Sequence, residues 1–203
     1  MTTIEPGRLR ARLGAVAVAA VLVLAGCTSS DPEPTATETV TSDTGFGFTS
    51  PDGTVRAWDV AERGAPLELT GTDFGGEPVD VAAHRGELVL LNTWYAACPP
   101  CRAEAADLVA LDADYDTLHL FGINGTDDAG TAEAFERRFE VTYPSIDDAD
   151  GAALAALQGL VPISATPTTI VLDRAGRVAV RIIGMVDPGV LRPLVDDLLA
   201  EAA

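Results

Sequence analysis

From about residue 52 onward, short apolar runs alternate with stretches of helical spacing. Residues 55–60 and 67–70 are short strand candidates, and residues 79–81 form another after Gly75-Gly76, which suggests a hairpin. Residues 88–94 and Leu118–Asn124 are nearly continuous apolar runs, the pattern of strands buried on both faces. Residues 98–112 place Ala105, Leu108, Val109 and Leu111 roughly on one helical face, and Ala129–Phe139 does the same with Ala132, Phe135 and Phe139. Ala152–Gln158 reads as a short helix and Pro188–Ala200 as the last one. Between them, residues 168–173 and 177–184 read as strands joined by the turn Arg174-Ala175-Gly176. A β-α-β half followed by a β-β-α half predicts an α/β domain: a central mixed sheet flanked by helices on both faces, with an N-terminal β-hairpin extension.

The first fifty residues follow different rules. Arg8, Arg10 and Arg12 precede residues 13–24, which carry no charge, and then comes Leu24-Ala25-Gly26-Cys27. This is the layout of a secretory signal, with an apolar segment too short to read as a membrane span. Its end resembles the bacterial lipobox, in which the chain is cut before the cysteine and the sulfur carries the lipid. The plainer reading is an ordinary signal peptide that leaves Cys27 as an odd free thiol. Residues 28–44 are rich in Thr, Ser, Pro, Asp and Glu, cannot bury enough surface to fold, and read as a flexible tether. The expected organisation is a signal peptide over 1–26, a lipid-anchored tether over 27–50 and one folded domain over 51–203, acting as a monomer.

Charge narrows the partners. The chain has no lysine and a formal net charge of −18; loss of residues 1–26 removes three arginines and one glutamate, leaving −20. Such a surface repels nucleic acid and anionic headgroups, so attachment to a membrane has to come from lipid on Cys27. Asp147, Asp148 and Asp150 before Gly151 glance toward a calcium loop, but Leu157 stands where the bidentate Glu is needed and Ile146 where the first ligand is needed.

The chemistry-bearing motif is Cys98-Pro99-Pro100-Cys101, between a strand and a helix. There the first sulfur lies near a helix N-terminus, which favours a thiolate, and the second lies about one turn on. Half of a zinc site and a structural disulfide are the bland readings. Zinc needs four ligands, and the chain has no second cysteine pair, while His84 and His119 stand isolated, so no metal is expected. A bridge closing so small a loop adds little stability. A redox role is favoured, with the pair itself as the only redox group.

Trp94 to Glu104, the run Ala165-Thr166-Pro167-Thr168-Thr169 and the hairpin Asp173-Arg174-Ala175-Gly176-Arg177 resemble a thioredoxin fold. More narrowly, they resemble membrane-tethered extracytoplasmic thiol–disulfide oxidoreductases of the TlpA/ResA type, over about residues 66–201. The resemblance implies a cis Thr166–Pro167 bond beside the disulfide, with Pro144 and Pro162 as rival positions. It implies that Cys98, near the exposed helix start, attacks the partner and that Cys101 resolves the mixed disulfide. Glu104 matches an acidic residue that influences cysteine ionisation in ResA-like members; otherwise it is a solvated glutamate complementing the helix dipole. Asn92 stands where cytosolic thioredoxins carry a buried Asp. Trp94, Tyr95, Pro99, Pro100, Thr166 and Pro167 make up the expected active-site surface. Many relatives have Trp immediately before the first cysteine; Ala97 stands there instead and leaves a more open surface.

Pro99 and Pro100 fit a first helical turn but supply no N–H. The Cys98 thiolate then depends on the N–H groups of Cys101 and Arg102, which points to a higher pKa and a more reducing couple. The expected activity is reduction of disulfides in exported proteins, with apocytochrome c as one substrate that the resemblance suggests, fed by a thiol-type electron donor in the membrane. A disulfide oxidase or isomerase, and a redox-regulated binding protein, are the competing readings. Residues 147–165 lead into the Thr166–Pro167 surface and are the expected seat of specificity.

Overall fold

The computed structural model describes residues 47, 49–50, 52–158, 163 and 165–201. Cys27, the signal segment and nearly all of the tether lie outside the described residues. The elements in chain order are β1 (Val55–Ala57), β2 (Thr70–Thr72), β3 (Pro78–Asp80), β4 (Leu88–Thr93), α1 (Pro99–Asp114), β5 (Leu118–Asn124), α2 (Ala129–Phe139), β6 (Ser145–Asp147), α3 (Ala152–Gln158), β7 (Thr168–Leu172), β8 (Val178–Ile183) and α4 (Pro188–Ala200). Six strands form one sheet in the order β1-β8-β7-β4-β5-β6, and β2 and β3 pair separately. β4 runs parallel to β5 and antiparallel to β7, so the sheet is mixed, as the element pattern predicts.

Every residue of β4 is buried, because both of its faces are covered. Leu88 and Leu90 share one core with Leu108 and Leu111 of α1 and Leu191, Val195 and Leu198 of α4. Val89 and Leu91 point the other way, into a core closed by Leu67, Leu69, Val79 and Leu157. Alternation along one strand thus carries two layers of apolar burial, the main favourable contribution to folding. It also aims Asn92, the next residue on the α1 side, into the interior below the Cys98-Pro-Pro-Cys101 segment.

The structure moves several expected boundaries. Strand β1 stops at Ala57, three residues early, and a 3-10 turn over Val60–Glu62 follows. That turn delivers Arg63 to the interior, where its Nη1 donates to Asp173. The expected strand over 67–70 is displaced to Thr70–Thr72; Leu67 and Leu69 are core residues, and the Leu67 N–H goes to the Gly176 carbonyl instead of a strand partner. β6 was not expected: it has three residues at the sheet edge, too short for an alternation signal. Backbone pairing reaches residues before 51, since the Gly47 N–H donates to the Ala57 carbonyl and the Ser50 N–H to that of Val55. The acidic run 147–150 is a helix start: Asp148 accepts from the N–H groups of Ala153 and Leu154 at the head of α3.

Candidate active site

β4 ends at Thr93, and residues 94–98 lead directly into α1. Cys98 is the N-cap of α1 at φ −72°, ψ 112°, with Pro99 and Pro100 as the first two helical residues. Their fixed φ suits that turn, and their missing N–H groups would have no intrahelical partner there. Cys98 and Cys101 are joined by a disulfide, with Cα atoms 5.3 Å apart. The Cys101 N–H points at Cys98 Sγ, 3.2 Å away. Arg102 departs from expectation: its N–H donates to the Cys98 carbonyl at 3.1 Å, the first regular helical bond, and not to the sulfur. Among the described residues, Cys98 Sγ therefore faces one backbone N–H instead of the expected two.

The loop before the helix is pinned from outside the motif. Asp127 accepts from the Ala96 N–H at 2.6 Å and from Asn124 Nδ2 at 2.9 Å, while Asn124 Oδ1 caps the N–H groups of Thr126 and Asp127. Arg102 adds a bond from its guanidinium to the Ala96 carbonyl. Nothing in the sequence signals this role for Asp127 beyond the turn composition Asn-Gly-Thr-Asp-Asp at the end of β5.

The resemblance placed Cys98 near an exposed helix start, but its exposure is 1%, against 2% for Cys101. Its sulfur turns inward, toward Cys101 and to 4.0 Å from the Thr166 carbonyl oxygen. Ala97 and Pro99 on either side of it are exposed, so the surface is open around a sunken sulfur. The Thr166–Pro167 bond is cis. Thr166 is exposed, Tyr95 and Pro100 are half-buried, and Pro167 is buried. Trp94 is largely withdrawn from the surface: its indole is buried and stacks on Phe135 with ring centroids 4.4 Å apart. Gly122 makes room for it, since a Cβ there would come within 2.5 Å of Trp94 Nε1 and 2.4 Å of Ser145 Oγ.

Glu104 lies one turn beyond Cys101 and is 1% exposed, which removes the reading of a solvated glutamate. Its Oε1 accepts from Asn92 Nδ2 at 3.0 Å and its Oε2 from the Val186 N–H at 2.7 Å. Burial pushes its pKa above the ordinary carboxylate range, against the lowering effect of those two bonds. Asn92 also donates to Thr169 Oγ1, which joins β4, α1 and β7 below the disulfide. A cavity of about 10 Å³, the size of a single water, is lined by Asn92, Cys101, Tyr143 and Ser145 among others. On the outer side, an open groove of about 280 Å³ runs from Thr166 and Trp94 to Asp148, Asp150 and Leu154. That groove joins the cis-proline surface to the head of the segment expected to hold specificity.

The two histidines, isolated in sequence, are neighbours in the fold. His84 and His119 have ring centroids 4.0 Å apart, near the start of β4 and so at the far end of that strand from the disulfide.

A two-cysteine disulfide at a helix N-terminus, beside a cis-proline on a thioredoxin-like sheet, defines the class: the protein is a thiol–disulfide oxidoreductase. Residues 61–181 match the model of the AhpC/TSA family, and the chain belongs to that family. It is similar to the thiol:disulfide interchange protein DsbE of Pseudomonas aeruginosa, 34% identical over 139 residues that cover 66% of this chain and 68% of that one. Among solved structures, a DsbF homologue from Corynebacterium diphtheriae is 34% identical, with a TM-score of 0.63 over 75% of this chain and 98% of that one. A secreted thiol-disulfide isomerase from Corynebacterium glutamicum is 30% identical, with a TM-score of 0.66 over 77% of this chain and 98% of that one.

Proposed function

We propose that this chain is a membrane-tethered, extracytoplasmic reductase of disulfides in exported proteins, of the TlpA/ResA type. The observation that carries the direction is the single backbone N–H aimed at Cys98 Sγ, with both intervening positions taken by proline. Less stabilisation of the thiolate raises its pKa and makes the couple more reducing. The exported location is supported by the signal layout before Cys27 and by the secreted relative from Corynebacterium glutamicum. Lipid on Cys27 would hold the domain at the outer face of the membrane.

In the reduced protein, the Cys98 thiolate attacks one sulfur of the substrate disulfide and the other leaves as a thiolate. A mixed disulfide joins Cys98 to the substrate. Cys101 then loses its proton and attacks Cys98 Sγ, which releases the second substrate thiol and closes the Cys98–Cys101 bridge. Two electrons have passed to the substrate, and a thiol-type donor in the membrane restores the pair. No further cofactor is needed. Glu104 is the buried base for the Cys101 proton, held in place by Asn92 and Val186. The substrate segment lies along Tyr95, Pro99 and Thr166 and enters the groove toward Asp148 and Asp150. Apocytochrome c is one substrate with the required cysteine disulfide.

The isomerase named in Corynebacterium glutamicum favours a second reading, in which Cys98 shuffles rather than reduces disulfides. Trapping tests the roles: Cys101→Ser should accumulate a mixed disulfide with exported proteins on non-reducing gels, and Cys98→Ser should not. Trapping by Cys98→Ser alone would overturn the assignment.

A further inference from the structure

We propose that His84, Glu87 and His119 form a binding site for one divalent transition-metal ion of the zinc class, at the end of β4 and β5 remote from the disulfide. One ligand atom from each residue lies within 4.8 Å of the others. The chain contains two histidines in all, and folding brings both to this point from 35 residues apart.

The scaffold is built before any ion arrives. The Glu87 N–H donates to the His84 carbonyl at 3.1 Å and closes a turn over residues 84–87. Arg85 at φ −59°, ψ 136° and Gly86 at φ 98° give it type II geometry, the turn that needs glycine at its third position. The Gly86 N–H is fastened in turn to the Arg174 carbonyl at 2.8 Å. His119 comes from the regular part of β5, in register with Val89 of β4. Phe121, two residues on, packs against the His84 ring with centroids 5.3 Å apart and limits its rotation. His119 Nε2 already meets Glu87 Oε2.

The donor set selects the ion class. Two imidazole nitrogens and one carboxylate oxygen suit Zn²⁺, Cu²⁺ or Ni²⁺, with bonds of about 2.0–2.2 Å for zinc, whereas Ca²⁺ and Mg²⁺ favour all-oxygen shells. Both histidines are half-buried and Glu87 is exposed, so one side of the ion stays open to water or to a side chain of another protein. The strongly negative chain concentrates cations around it.

The test uses the full-length protein in its disulfide form, with any free thiol alkylated so that sulfur cannot ligate. Titration with Zn²⁺ is expected to give one site per chain by calorimetry. With two histidines in the sequence, both sets of imidazole proton resonances should shift together as the ion binds. His84→Gln and His119→Gln should each weaken binding tenfold or more, and the wild-type resonances supply the answer if a variant fails to fold. Binding that leaves both imidazole sets unmoved, binding undiminished in both variants, or no binding at all overturns the site.

Discussion

Cys98 and Cys101 differ in what surrounds them. Cys98 Sγ faces the Cys101 N–H and, 4.0 Å away, the Thr166 carbonyl oxygen. Cys101 borders the small cavity that it shares with Asn92, and Glu104 lies one turn away. The Glu104 carboxyl is where the two environments can be tested. Its ordinary pKa is 4.5, and burial raises it in the folded state. Below the ordinary value both folded and unfolded chains hold the proton. As pH rises, the unfolded chain loses its proton first, so the stabilisation present in acid is lost as the pH climbs through the raised folded value. Glu104→Gln removes this titration. In urea unfolding of the disulfide form, wild type should lose stability relative to Glu104→Gln as the pH rises above about 4.5; parallel curves would show that the carboxyl does not titrate as described. The same substitution should slow the resolving step about 10²-fold if Glu104 takes the Cys101 proton.

At the scale of elements, legibility followed length and periodicity. β5, α2, α3 and α4 occupy the residues expected from apolar spacing, and the Asp173–Arg177 hairpin turns at Gly176, φ 78°. These segments carry their own signal: long apolar runs, 3.6-residue spacing, a glycine where the turn needs positive φ. β6 and the 3-10 turn before Arg63 carry none, because each spans three residues, too few for a periodic pattern. The site divides in the same way. The cysteine pair and the cis-proline were visible as motifs or through the resemblance. The inward turn of Cys98, the use of the Arg102 N–H inside the helix and the Asp127 clamp on Ala96 are products of chain geometry. The pairing of His84 with His119 was invisible for the same reason: it depends on β4–β5 register and on one type II turn.

Across the whole molecule, Arg63 ties the start of the domain to its end. Its side chain is fully buried and donates to Asp173 at 3.1 Å and to both carboxylate oxygens of Glu201 beyond α4. Burial alone would raise the Asp173 pKa, but bonds from Arg177 and Arg63 outweigh it and hold the group below the ordinary carboxylate range. This contribution is present at neutral pH and is lost only in acid. Arg63→Ala removes the bonds to Asp173 and Glu201, while Arg177 still pairs with Asp173, and should cost about 1.5–3 kcal/mol in chemical unfolding. A cost under about 1 kcal/mol would mean that the network adds nothing to closing the domain.

The central claim is that the Cys98-Pro-Pro-Cys101 pair donates electrons. The reduction potential of that couple, measured on the full-length chain by equilibration with glutathione or dithiothreitol buffers, tests it most directly. The single N–H at Cys98 predicts a value below about −220 mV, toward the thioredoxin range. A value near about −120 mV, where the reduced form is strongly stabilised, would contradict the account and make the protein an oxidant of its substrates.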